Sequence, residues 1–308
     1  RLSHLRGAAM KLGQMISMDA GDVLPAELTA ILARLRESAH IMPPDQLGKV
    51  LVGEWGKGWQ RHFTLFEGRP IAAASIGQVH RATLPDGRVL AVKVQYPGVA
   101  DSIDADVDNL DIAPLLAEAK RQLHEEADYV REAQQMRHYR SLLADQPTFL
   151  IPAPVDELSG RNVLAMDFIA GKPIETLETA PEDDRNRVMG ALFRLVLREL
   201  FEFGHMQTDP NFANFRWQPE TGRIVLYDFG AARAVPPATV EAYRRLLRAG
   251  LAEDHAALRE AIMEVGFFSG TTLERHRAGI DAMITHLIAH FGKPGLYDFG
   301  DRRFVEQV

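Results

Sequence analysis

Leu28, Ile31, Leu32 and Leu35 follow the i, i+3, i+4, i+7 spacing of one buried helix face. Pro25 suits the start of that helix, and Pro43-Pro44 interrupts the pattern and marks a boundary. From about residue 63 to residue 96 the texture changes to short alternating runs. Val79 and Leu84 lie in one of them, Pro85-Asp86-Gly87 is a turn signal, and Val89-Leu90-Ala91-Val92-Lys93-Val94 predicts a buried strand. Together they predict a β-hairpin. Residues 105–145 predict helix, and two apolar runs around Ser159-Gly160, within residues 149–168, predict a second hairpin. Beyond Pro173 the chain reads as mostly helical. Met189, Leu192, Phe193, Val196, Leu197, Leu200 and Phe201 form a wide apolar stripe, which predicts a helix central to a second lobe. Residues 224–227 predict a short strand, and three more helices follow Pro237. The layout is an α+β fold: a helical extension over residues 1–42, a sheet-rich lobe with a helical insert over 43–168, and a helix-rich lobe over 169–308.

Composition narrows the classes. Of 308 residues, 46% are apolar and 25% charged, enough for a sizeable core. The net charge of -7, from 35 basic and 42 acidic residues, argues against nucleic acid as the main partner, because phosphate backbones need a basic face. There is no cysteine, which excludes disulfides, thiolate nucleophiles and zinc–thiolate sites and fits a reducing, intracellular compartment. No run of 18 uncharged apolar residues occurs. The most apolar stretch, residues 188–203, carries Arg194, Arg198, Glu199 and Glu202 and reads as an amphipathic helix.

Chemistry concentrates at Asp209-Pro210-Asn211-Phe212-Ala213-Asn214 and at Asp228-Phe229-Gly230, the latter directly after the strand of residues 224–227. An Asp and an Asn five positions apart, then an Asp-Phe-Gly after a strand, is the kinase arrangement for phosphoryl transfer. Mg²⁺ is a hard cation that takes oxygen ligands, which Asp228 and Asn214 supply, while Asp209 faces the nucleophile as base or orienter. A second Tyr-Asp-Phe-Gly at residues 297–300 lacks both the upstream pair and the apolar strand and reads as structural. Leu90-Ala91-Val92-Lys93 matches the V-A-I-K strand whose Lys grips nucleotide phosphates. A buried ammonium needs partners, and among the acids of Glu126-Ala127-Asp128-Tyr129-Val130-Arg131-Glu132 the expected one is Glu132. Upstream, where a kinase has G-x-G-x-x-G-x-V, the frame is Ala72-Ala73-Ala74-Ser75-Ile76-Gly77-Gln78-Val79, so only Gly77 and Val79 survive. Alanine lacks ready access to positive φ, which predicts a stiffer loop over the phosphates.

The alanine-rich loop, the E-x-D-Y-x-x-E segment, Gln207-Thr208-Asp209-Pro210 and Lys11-Leu12-Gly13-Gln14, a K-x-G-Q motif, together resemble the UbiB family of atypical protein-kinase-like proteins. The resemblance runs from about Gly7 to at least Arg233. It implies a bilobal kinase-like fold with Mg²⁺ and ATP or ADP in the cleft, and an ATPase or small-molecule or lipid-directed kinase supporting ubiquinone biosynthesis. It implies that Lys11 and Gln14 reach the active site from a helix laid over it, that Glu126 and Asp128 act as the E-x-D pair, and that Met166 and Phe168 flank a hinge against adenine. Asp167 stands where the family usually has Glu. It also implies peripheral membrane association, cytoplasmic or on the mitochondrial matrix side, with anionic phospholipid and quinone-pathway lipids or enzymes as partners.

The sequence itself argues against an ordinary protein kinase. No A-P-E follows Asp228-Phe229-Gly230 before Pro236-Pro237, and Thr208 replaces the Arg of H-R-D. Two alternatives stand beside the enzymatic reading: a small-molecule kinase of the aminoglycoside or choline type, and a nucleotide-gated scaffold for a lipid-biosynthesis complex. His286 and His290 share a helix face, but Leu287 occupies the Glu position of H-E-x-x-H. Arg244, Arg245 and Arg248 form a basic helix face that reads as solvated surface, with lipid headgroups as the alternative.

Overall fold

The computed structural model describes residues 41–74, 76–99, 121, 124–209, 211–267 and 275–291. Expectations for Lys11 and Gln14, for Ser75, for much of the helix over 105–145 and for the second Tyr-Asp-Phe-Gly fall outside these residues, as does the side chain of His290. The chain forms two compact units. One contains the described residues up to Leu192 together with Gln207–Ala232, and the other contains Phe193–Met206 and the residues from Arg233 onward.

The first unit is built on β1 (Leu65–Phe66), β2 (Ala72–Ala74), β3 (Gly77–Thr83), β4 (Val89–Gln95) and β6 (Val163–Asp167), ordered β1-β3-β4-β6 with β2 also paired to β3. The β3–β4 hairpin turns through Gly87, whose φ of +88° needs a residue without Cβ, and the Asp86 carboxylate accepts the Arg88 N–H. Strand alternation then decides what each β4 side chain meets. Leu90, Val92 and Val94 join a core with Leu47 and Leu51 of α1 (Pro44–Trp55), Phe63 and Val163. Ala91, Lys93 and Gln95 therefore face the other way.

Gly77 is held to glycine by β4. A Cβ there would lie 2.3 Å from the Val94 carbonyl oxygen, so the surviving glycine of the loop is explained by strand packing. Gly77→Ala is expected to cost about 1–3 kcal/mol, as overpacking against backbone does, measured as a lower urea midpoint.

A buried polar chain crosses the same sheet. Glu67 offers only a carbonyl to His80 Nδ1, at 2.8 Å, so that nitrogen donates; His80 Nε2 then accepts from Gln78 Nε2 at 2.8 Å, and Gln78 Oε1 accepts the Met42 N–H at 2.9 Å. Burial lowers the His80 pKa, in keeping with this neutral tautomer.

The second hairpin forms only in part. Residues 153–155 run back along β6 through Val155 N–H to Ala165 O and a Pro154–Met166 bridge, but Pro152 and Pro154 lack N–H groups and cannot extend a ladder. β5 (Phe149–Leu150) instead pairs in parallel with β10 (Arg223–Leu226), in a sheet ordered β5-β10-β9-β7 with β7 (Lys172–Pro173) and β9 (Phe215–Gln218). α2 (Tyr129–Leu142) lies between the two sheets in sequence and begins at an Asp128 N-cap.

α3 (Glu182–Arg198) corrects the apolar-stripe reading. Val188, Ala191, Leu192 and Leu195 are buried, whereas Met189, Phe193, Val196 and Leu197 are exposed. The hydrophobic stripe is wider than the face that packs. In the second unit, α4 (Pro237–Leu251), α5 (His255–Val265) and α6 (Arg277–Phe291) bury Ala249, Leu258, Ile262, Ile280 and Ile284 together. The basic face of α4 is ion-paired: Arg244 to Glu241 at 2.8 Å, Arg248 to Glu241 at 3.7 Å, and Arg245 to Glu264 of α5. That pairing favours the surface reading over lipid headgroups.

Candidate active site

Within the first unit, a cleft is lined by Ala74, Ile76, Lys93, Glu126, Tyr129, Glu132, Asp228 and Gly230. Lys93 reaches it because β4 turns that side chain away from the core. Its Nζ donates to Glu132 Oε1 at 2.7 Å and Oε2 at 3.0 Å, and lies 3.4 Å from Asp228 Oδ2. Lys93 is 7% exposed and Glu132 1%, so this is a buried pair whose charges must compensate one another. Burial works against the ammonium, but Asp228 and Glu132 outweigh it and hold Lys93 above the ordinary lysine range. Burial pushes Glu132 up to about 7, with Lys93 pulling against it. The Tyr129 ring lies 5.4 Å from the Lys93 ammonium, and its hydroxyl is buried without a hydrogen-bond partner among the described residues.

Asp228 lies two residues past the end of β10, whose Ile224, Val225 and Leu226 are buried. Its Oδ1 accepts the Gly230 N–H at 2.9 Å, leaving Oδ2 toward Lys93. Asp209 and Asn214 meet at 3.4 Å, Asn214 Nδ2 donating to Asp209 Oδ2. Gln207 joins the two halves: its Nε2 donates to the Asp228 carbonyl at 2.5 Å and its Oε1 accepts the Asp209 N–H at 3.2 Å. The two motifs, separated in sequence, are thus tied by one amide side chain.

Several expected residues lie elsewhere. Glu126 lines the cleft, but Asp128 is exposed and spends its carboxylate on the Arg131 N–H as a helix cap. Of the alanine run, Ala74 reaches the cleft, while Ala72 and Ala73 are exposed on β2; alternation turns Ala73 to the face opposite Ala74. Val79 is half-buried and pairs across the ladder with Lys93. Met166 is buried in β6, and the N–H groups of Asp167 and Phe168 go to the Ala153 and Val89 carbonyls. The hinge donors at those two residues are therefore already used by the sheet. Ile76, Tyr129 and Gln207 were given no role by motif reading.

The α+β fold and this grouping of lysine, glutamate and aspartates define a kinase-like protein of the atypical kind. The profile described as the ABC1 atypical kinase-like domain matches residues 34–262, and the chain belongs to that family, the UbiB proteins. The chain is 36% identical over 321 residues to "Atypical kinase COQ8B, mitochondrial" of Danio rerio, covering 100% of this chain and 51% of that protein. It is 40% identical over 315 residues to the Rattus norvegicus protein of the same name, covering 97% and 59%. The chain spans about half the length of these curated relatives. Among solved structures, the Mycobacterium tuberculosis protein Rv3197, determined as a complex with erythromycin, superposes with a TM-score of 0.61 at 30% identity, covering 86% of this chain and 71% of that one.

Proposed function

We propose that this chain is an atypical kinase-like enzyme that binds Mg²⁺ with ATP or ADP and supports ubiquinone biosynthesis, as an ATPase or a kinase of small molecules or lipids. The observation that carries the reading is the buried Lys93–Glu132 pair in contact with Asp228, a costly arrangement that a purely structural strand has no need of. The donor set fits the metal: Asp228 and Asn214 offer hard oxygens, and Asp209 stands beside Asn214 as base or orienter. Bound Mg²⁺ supplies charge compensation for the phosphates. Among the described residues, Lys93 is the one cation lining the cleft, against Glu126, Glu132 and Asp228, so a polyphosphate enters as its metal complex.

The same reading assigns Ala74, Ser75 and Gly77 to the phosphate loop, and the region of Met166 and Phe168 to adenine. It lays the 1–42 extension, with Lys11 and Gln14, across the cleft mouth of a lobe spanning 43–168, with 169–308 as the second lobe. Anionic phospholipid and quinone-pathway lipids or enzymes are its partners. Peripheral attachment to an inner membrane is the corresponding location, consistent with the mitochondrial names of relatives. No helix among the described residues is long and apolar enough to cross a membrane.

The test is steady-state ATP hydrolysis with and without vesicles of anionic phospholipid, run with γ-labelled ATP. Label is expected on water or in a lipid extract, and not on added peptides. Efficient labelling of generic peptides overturns the reading, as does a complete lack of Mg²⁺-dependent nucleotide binding.

A further inference from the structure

The segment after β10 belongs to neither a helix nor a long ladder, yet it is buried. Its backbone polar groups must still be satisfied. The Asp228 carbonyl takes Gln207 Nε2, and the Phe229 carbonyl takes the Ala232 N–H at 3.0 Å. The Ala231 carbonyl takes the Thr208 hydroxyl at 2.8 Å. The remaining two, on Gly230 and Ala232, take one side chain, Arg131. Its two terminal nitrogens fork between them, the first bond being 2.6 Å. Arg131 stands next to Glu132 on the first turn of α2, and Glu132 itself accepts the Phe229 N–H at 3.3 Å. Farther along α2, the buried Tyr139 ring packs against Phe229 at 4.9 Å.

We propose that Arg131 is a positioning residue that fixes the Asp228 carboxylate for metal binding, by tying the carbonyls on both sides of Ala231 to the helix that carries Glu132. The helix and the metal-ligand loop then move as one body. A kinase with an activation segment can swing its Asp-Phe-Gly while the helix stays; here the fork makes the two displacements the same event. A guanidinium suits this, since its two terminal nitrogens are held apart in one plane and each donates to its own carbonyl, whereas an ammonium offers all its donors from a single nitrogen. A cap-and-surface role for Arg131 does not account for the geometry, because its contact to Glu125 is the long one, at 3.7 Å.

The inference rests on the Mg²⁺-nucleotide reading, and the experiment separates the two. Mg²⁺ is titrated into full-length protein with a fluorescent ATP analogue, for the parent, Arg131→Ala and Arg131→Lys. The half-saturating Mg²⁺ concentration is expected to rise about 10- to 100-fold in Arg131→Ala, the range for lost partners of metal ligands, and less in Arg131→Lys. Affinity for the analogue without Mg²⁺ changes less than that. Mere loss of folded protein lowers the amplitude and leaves the midpoint in place, so the midpoint distinguishes positioning from stability. Hydrogen exchange at residues 229–232 is expected to quicken in both variants. If Arg131→Ala does not fold, the Lys variant decides. An unchanged midpoint in a variant that binds overturns the inference and leaves the functional reading standing. Failure of the parent to respond to Mg²⁺ overturns both.

Discussion

Lys93→Met is expected to destabilise the protein by about 3–5 kcal/mol at pH 8, the range for stranding one partner of a buried ion pair. Methionine fits the volume of the lysine stem, so the loss is electrostatic. Glu132, 1% exposed, keeps its burial and the nearby Asp228 charge but loses the cation that opposes them. Its folded pKa, already pushed up to about 7 in the parent, moves higher still. A carboxyl whose folded pKa lies above its unfolded value contributes stability that is present below the unfolded value and lost as pH rises through the folded one. The variant should therefore recover on acidification, and its gap to the parent should narrow between pH 8 and pH 6. Urea unfolding at both pH values measures this. A gap that stays constant or widens toward pH 6 would show that Glu132 is not the stranded group. Lys93→Met, Glu132→Gln is expected to regain much of the loss at pH 8, since the amide needs no counter-ion.

Asp228→Asn is expected to weaken Mg²⁺-nucleotide binding or turnover by about 100-fold or more, corresponding to several kcal/mol of metal-mediated charge compensation. The substitution is conservative in shape. Asn Oδ1 can still accept the Gly230 N–H that Asp228 Oδ1 accepts at 2.9 Å, so the loop keeps its turn. What disappears is the anionic oxygen, together with a contact to Lys93 at 3.4 Å. Binding without Mg²⁺ should improve or hold, because one of the carboxylates that repel phosphate has gone. Asp298→Asn, in the second Tyr-Asp-Phe-Gly, is the control and should leave both quantities unchanged. Calorimetric titration of the two variants gives the answer, and equal losses would mean that the metal site has been placed on the wrong motif.

Much of this site is legible in the chain because strand period is unforgiving. Once Leu90, Val92 and Val94 are read as core, Lys93 must point the other way, and an apolar strand with a lysine on its second face needs an acid. The hairpin at Pro85-Asp86-Gly87 is equally plain, since its turn chemistry is local. The parts that stay hidden depend on contacts far apart in sequence. Nothing near Arg131 announces that its fork reaches 99 positions on to Gly230. Gln207 looks like motif padding until its amide is seen to bond both Asp228 and Asp209. Asp128 shows a local use that motif reading does not reveal. An acid just before a helix serves as a cap, and here Asp128 Oδ1 accepts the Arg131 N–H. In α3, apolar residues outnumber the positions one helix face can bury, so periodicity overstates the packed surface.

The placement of the three tryptophans makes the two compact units optically distinct. Trp55 and Trp59 pack tilted or edge-on against Phe63 and Phe66 beside the first sheet, and Trp217 is buried in β9 with its indole N–H on Thr176. All three belong to the first unit, and the residues of the second contain none. Indole emission consequently follows the unit that carries the cleft, while far-ultraviolet dichroism, weighted toward helices, also registers α4, α5 and α6. Transitions that coincide by the two signals would mean one cooperative molecule, and transitions that separate would give each unit its own stability.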